Sequence, residues 1–300
     1  MKVLVSGASG LIGSALCEAL QKRGDDVARL VRKEWTSDTS EILWDPQTDY
    51  IERDKLEGFD AAVHLSGENV GSGRWIAQKK RKILESRTRT TGLLCQTFVE
   101  LKNPPKTWVC ASATGYYGNC GDRTIDEDES AGETFLADVC RQWEAATHPA
   151  SQKDIRVVNT RFGLVMGGKN SPFAKMLLPF KLGLGGPVGP GTQYLAWTTL
   201  DDVARALLYA LDTDSLKGPV NVVSPNPVRN REFVATLARA LNRPAVLPFP
   251  ACAARLLFGE MADNLLLVSQ RAIPRKLEES GFTFEHPELD EAIHYVLEAM

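Results

Sequence analysis

Histidine is scarce in this chain, with four in 300 residues, and no two cysteines stand at C-x-x-C spacing. The six cysteines (17, 95, 110, 120, 140 and 252) are scattered and none clusters with histidine, which argues against a metal site and fits reduced thiols. No apolar run approaches the roughly 20 residues of a membrane span. The chain opens on a strand-like segment rather than a charged and then greasy leader, so a cytoplasmic location and no membrane partner are expected. An excess of charge of one sign is also missing: 35 Lys and Arg against 38 Asp and Glu give −3. That balance offers nucleic acid or an anionic membrane little attraction, and neither is expected as a partner. The run KKRK at 79–82 reads as a solvated helix face. No Ser-His-Asp signature stands out. What is present is an ordinary globular composition, 43% hydrophobic and 24% charged, long enough for one large domain or two joined ones.

The opening MKVLVSGASGLIGSALCEALQKRGDDVARLVRK runs from a short β-branched strand through three glycines into a helical pattern carried by Leu11, Ile12, Leu16, Ala19 and Leu20. Gly24 ends that helix, and VARLVR forms the next strand of a βαβ unit. Gly7, Gly10 and Gly13 give G-x-x-G-x-x-G. Missing side chains there permit a tight turn, approach of a pyrophosphate to backbone N–H groups, and close helix packing. Gly7, Ser9, Gly10, Leu11, Ile12 and Gly13 are therefore the expected cofactor contacts. Where a chain that binds NAD usually places an acid, this one has Arg32 followed by Lys33. A cation suits a 2′-phosphate, so NADP is the expected cofactor.

FDAAVHLSGEN (59–69) reads as another buried strand ending in a small-residue loop, which adds Leu65, Ser66 and Gly67 to the cofactor candidates. KTWVCASATGYYG (106–118) repeats the form, with Ser112 and Thr114 near the strand end. IRVVNTRFGLVMG (155–167) reads as one further strand. Strands alternating with helices indicate an α/β fold, a doubly wound parallel sheet of the Rossmann type. Arg87 falls on the apolar stripe of the helix before Leu101. There a guanidinium acts either as an internal clamp or as a contact to the cofactor.

With SGASGLIG, HLSGEN, SATGYYG and the helical stripe Leu136, Cys140, Glu144 in place, the chain resembles the extended short-chain dehydrogenase/reductases, and within them the atypical "epimerase family protein" subgroup. ENVGSGRW (68–75), MLLPFKLGLGGPVGPGTQYLAW (176–197) and SPNPVRNREF (224–233) are further marks. The resemblance implies an NADP(H)-dependent oxidoreductase or epimerase acting on a small polar substrate, with a nucleotide sugar as one candidate. It matches Ser112 to the active-site serine, with Thr114 in competition. It also exposes a departure: the family's YxxxK motif is replaced by Leu136 and Cys140, and Arg87 stands where an asparagine is usual. Leucine moves no proton, which keeps a second reading open, a cofactor-binding regulatory or assembly protein without turnover. Tyr116 and Tyr117 are candidate substitute acids, and Cys140 is a third.

The domain reading is a nucleotide-binding part over 1–165, to which 198–223 returns, and a discontinuous substrate lobe drawn mainly from 166–300. By resemblance, the lobe and the loop after HLSGEN build the substrate pocket, with Arg74, Trp75, Lys181, Gln193, Tyr194 and Trp197 as candidates. PAVLPFP (244–250) reads as a short strand bounded by prolines. A monomer or homodimer is expected.

Overall fold

The protein is described here as a computed structural model covering residues 1–32, 40–169 and 171–300. Its first strand, β1 (Lys2–Ser6), buries Val3, Leu4 and Val5 and leads through the glycine loop into α1 (Leu11–Arg23). β2 (Asp26–Val31), β3 (Glu41–Asp45), β4 (Tyr50–Ile51) and β5 (Ala61–His64) follow. The long α2 (Ala77–Glu100) then crosses to β6 (Thr107–Ala113). After a two-residue strand, β7 (Thr124–Ile125), come α3 (Phe135–Ala145), the short α4 (His148–Ser151) and β8 (Arg156–Phe162). Residues 155–167, expected from the sequence to be one strand, form two. Gly163 breaks it, because any Cβ at 163 would lie 2.4 Å from Ala196 O, and β9 (Leu164–Met166) starts a separate pairing.

The remaining chain supplies α5 (Pro172–Lys181), β10 (Tyr194–Leu195), β11 (Trp197–Thr199), α6 (Leu200–Asp212), β12 (Gly218–Val222), β13 (Val228–Arg229) and α7 (Asn230–Ala240). It ends in α8 (Ala251–Phe258), a π-helical turn over Ala262–Leu266, β14 (Arg271–Ala272), α9 (Arg275–Glu279) and α10 (Leu289–Ala299). The segment 244–250 makes one bridge, Val188 to Phe249, and no strand. Three of its seven residues are proline and lack a donor for a ladder.

The main sheet runs β12-β8-β6-β5-β1-β2-β3-β4, parallel except for the β3–β4 pair. This is the doubly wound α/β arrangement expected from the sequence. Strand order reverses beside β1, between β5 and β2. In such sheets ligands bind in the crevice at this switch point, outside the carboxyl ends of the strands. α6 packs on α1, and β12 extends the sheet beside β8. A second core, around Phe173, Trp197 and Phe233, joins α5, β11, α7 and α10. Among the described residues no helix is long and apolar enough to cross a membrane. Nor do three or more His, Cys, Asp or Glu gather there as a metal site would require.

Candidate functional site

The glycine loop sits at this switch point, and Gly7 and Gly13 in it tolerate no side chain. Gly7 has φ +71°, and a Cβ on it would stand 2.8 Å from Leu65 C. A Cβ on Gly13 would stand 2.1 Å from Gly7 O. Gly10 caps α1 without a side-chain bond, so the N–H groups of Leu11, Ile12 and Gly13 have no partner within the helix. Free donors at a helix start with backbone open to close approach form a cradle for an anionic group. A dinucleotide pyrophosphate fits this donor set. Ser9 is exposed beside it, Leu65 and Ser66 are half-buried opposite it, and Gly67 is exposed. Arg32 stands exposed just past the end of β2, while Lys33 lies outside the described residues.

Beneath the loop, His64 ties β5 to β1 and α2. Thr90 donates its hydroxyl to Ser86 O at 2.7 Å, so it accepts from His64 Nε2 at 3.2 Å. His64 Nδ1 is left to accept from the Ser6 hydroxyl at 2.6 Å. Complete burial pushes the His64 pKa down to about 3.

Arg87 is a clamp between α2 and the loop after β5. It donates to Ile83 O at 3.0 Å and to Glu68 O at 3.1 Å. Its guanidinium lies 5.0 Å from the centroid of the Trp143 ring, and a Cβ on Gly67 would come within 3.3 Å of it. Glycine at 67 therefore makes room for the cation. Burial works against the charge, with Cys140 and Glu68 acting in its favour.

The stripe that resembles the lost YxxxK motif ends on a charged residue that sequence reasoning left without a role. Glu144 accepts from Arg161 through both oxygens, each at 2.8 Å. It also accepts from the Ser112 hydroxyl at 2.6 Å. Burial opposes the Arg161 charge, but Glu144 and Tyr117 outweigh it and raise its pKa. Arg161 also donates to the Tyr117 hydroxyl at 3.0 Å, and that hydroxyl donates to Asn221 Oδ1 at 2.6 Å. Tyr117 is thus fully engaged inside the protein, and burial pushes its pKa up. Tyr116 differs. Its ring lies on the Arg161 guanidinium, 3.5 Å from carbon to centroid, it is half-buried, and its hydroxyl makes no hydrogen bond among the described residues. A sequence signal for Arg161 existed: it continues the Val157, Asn159 face of β8 as a cation inside a buried strand.

Leu136 occupies the first place of the stripe and is covered by the protein itself. It belongs to an apolar cluster with Trp75, Ile83, Val139 and Met261. Its N–H donates to Asn264 Oδ1 at 3.3 Å, and the Thr134 hydroxyl accepts from Ala137 N at 3.2 Å to cap the same turn. Cys140 is buried, and desolvation followed by the Glu144 charge pushes its thiol up to about 11. Thr114 is buried as well, donating to Gln270 Oε1 at 2.8 Å, while Gln270 Nε2 donates to Gly118 O at 3.2 Å. Ser269 bonds Asn119 and Gly121 from the same segment. The end of the chain thereby grips the GYYG loop.

The pocket candidates of the second half do not converge. Trp197 has no exposed surface, and its indole donates to Asn226 O at 2.9 Å, which corrects its reading as a pocket residue: the ring fills the second core. Trp75 is likewise buried, donating to Val70 O at 2.9 Å. Gln193 is buried and donates to Val188 O and Leu266 O, leaving its Oε1 without a partner. Arg74 is exposed and reaches Leu256 O at 3.4 Å. Lys181 is exposed at the end of α5. The guanidinium carbons of Arg229 and Arg271 lie 4.6 and 4.9 Å from the centroid of the Tyr194 ring.

Residues 3–223 match the NAD dependent epimerase/dehydratase family, and residues 249–296 match a domain of unknown function. An epimerase family protein of Mycobacterium leprae is 41% identical, over 98% of this chain and 94% of its own length. The crystal structure of human epimerase family protein SDR39U1 (isoform 2) with NADPH superposes with a TM-score of 0.91 at 34% identity, covering 100% of both chains. A nucleoside-diphosphate sugar epimerase from Corynebacterium glutamicum gives 0.80 at 33% identity, over 99% of this chain and 58% of that one. The resemblance carried by SGASGLIG, HLSGEN and SATGYYG is thus upheld along the whole sequence: the chain belongs to the NAD dependent epimerase/dehydratase family.

Proposed function

We propose that this protein binds NADP(H) at the glycine loop and is an oxidoreductase or epimerase-like enzyme acting on a small polar substrate, with nucleotide sugars the favoured class. The human relative crystallised with NADPH and the Corynebacterium relative described as a nucleoside-diphosphate sugar epimerase support the two halves of this reading. Bound cofactor would supply hydride chemistry. The N–H groups of Leu11, Ile12 and Gly13 would hold the pyrophosphate charge, with Leu65, Ser66 and Gly67 forming the facing wall. Arg32 and Ser9 would meet the 2′-phosphate. Arg87 would add positive charge at the rim while keeping its two carbonyl bonds.

Tyr116 is the residue assigned to proton transfer. The observation that carries this choice is that Tyr116, half-buried with its ring on Arg161, has a hydroxyl without a hydrogen bond among the described residues, where Tyr117, Thr114 and Ser112 have their hydroxyl protons directed to protein acceptors. Ser112, 2% exposed with its proton held by Glu144, then serves to position that carboxylate, and Cys140 serves as packing. A second reading, cofactor binding without turnover, is favoured by one observation: Leu136 and Cys140 put no proton donor on the exposed surface of α3.

Two measurements test these readings. Calorimetry should find NADPH bound more tightly than NADH, and Arg32→Asp should weaken NADPH by roughly ten- to a hundredfold, the loss of one charge-assisted contact. Equal affinities in the wild type would remove the NADP preference. NADPH oxidation should be slight with generic aldehydes and ketones. With a productive nucleotide sugar, Tyr116→Phe should lower the rate by about 10²- to 10⁴-fold. Turnover that survives Tyr116→Phe but disappears with Cys140→Ala would transfer the proton to the thiol. An absence of turnover on every sugar would favour the binding protein.

A further inference from the structure

The near-neutral total charge is unevenly distributed along the sequence. Leu178, Leu182 and Leu184, on the last turn of α5 and just beyond it, are each at least 60% exposed. Val246 and Leu247 lie alongside: Gly186 is pressed against Leu247 O, and Val188 bridges Phe249. Leu256 and Leu257 project from α8, with Leu256 76% exposed. Ile76 adjoins them through the Arg74 bond to Leu256 O and the ion pair of Lys80 with Glu260. The Phe249 and Phe258 rings, 6.3 Å apart, join the segment carrying Val246 and Leu247 to the end of α8, and clustered exposed apolar side chains of this kind mark an interaction site.

The same three stretches, 74–82, 172–188 and 241–258, contain nine of the 35 Lys and Arg and none of the 38 Asp and Glu. The rest of the chain is correspondingly acidic. Arg81, Lys82, Lys175, Lys181 and Arg243 are exposed and form no ion pair among the described residues. Lys79, Lys80 and Arg255 are paired with Glu68, Glu260 and Asp263, but Lys181 and Arg243 stand beside Leu182 and Leu184 without an ion pair among the described residues, and leucines flanked by such cations complement a surface that is apolar below and anionic above.

We propose that this face docks on an anionic lipid surface, with the leucines entering the boundary between headgroups and acyl chains and the cations meeting lipid phosphates. A second copy of the chain is disfavoured by charge, because a twofold contact would set these cations against their own images. The proposal is independent of the cofactor reading and concerns attachment to one face of a membrane, not a span. It departs from the expectation of no membrane partner drawn from net charge, which averages over both sides of the molecule.

Co-sedimentation with vesicles tests it. The full chain should pellet with 1:1 phosphatidylglycerol/phosphatidylcholine vesicles, not with phosphatidylcholine alone, and salt should release it. Leu256→Ser/Leu257→Ser and Lys181→Glu/Arg243→Glu should each weaken binding by about tenfold with unchanged melting temperature. Equal binding to both vesicle types, or binding indifferent to both double variants, would overturn the proposal. So would absence of vesicle binding, including a result in which the same variants disperse a self-association or reduce binding to a poly-glutamate peptide.

Discussion

Replacing Arg161 with methionine is expected to cost about 3 to 5 kcal/mol of folding stability, because it leaves the Glu144 carboxylate enclosed without its cation. Arg161 is 2% exposed and Glu144 13% by side chain, so water screens little of the pair. The double variant Arg161→Met/Glu144→Leu should recover much of the loss, since two apolar side chains need neither charge nor hydrogen bond. Urea denaturation of the three variants and the wild type forms the cycle. An Arg161→Met protein within 1 kcal/mol of wild type would show that the pair does not hold the strand to the helix. The single variant should also release the ring of Tyr116, which loses the flat cation on which it lies.

Acid should act through His64. Its folded pKa of about 3 lies far below the unfolded value of about 6.5. Between those values the unfolded chain binds a proton that the native protein refuses. Stability from this group is complete above about pH 6.5 and is lost as pH falls toward 3. Between pH 7 and pH 4 the loss should be about 3 kcal/mol. His64→Gln carries no such proton, so its stability should fall by that much less over the same interval. Parallel losses in the two proteins would mean that other groups dominate the acid response. Since the ring joins Ser6 to Thr90 beneath the glycine loop, loss of the neutral imidazole should also loosen the floor of the crevice.

How much of this could be read from the chain depends on how far apart the partners are. Strand, glycines and helix at the start are contiguous, and steric demands inside a few residues write themselves into residue type. Gly7 and Gly13 are glycine because a Cβ at either would strike backbone. Arg87 stayed open between two readings because its acceptors, Ile83 O and Glu68 O, are backbone atoms that no side-chain pattern announces. Glu144 was visible on its helical stripe, yet its partner Arg161 comes from the next long strand and only packing brings them together. Trp197 misled for a related reason. Its place as a pocket candidate comes from the family resemblance alone, whereas the pairing of β11 with β9 and the carbonyl of Asn226 seat it in a core.

The grip of the chain's end on the GYYG loop also governs the order in which the protein can be completed during synthesis. Asn119 waits for Ser269, and Gly118 for Gln270, partners 150 and 152 residues later in sequence. At usual elongation speeds of about 5 to 20 residues per second, that interval is roughly 8 to 30 seconds. For that time the sheet can assemble around β1 and β5 while Thr114 and Gly118 lack their final partners, so a ribosome-bound chain has its nucleotide cradle well before its tyrosine loop is set.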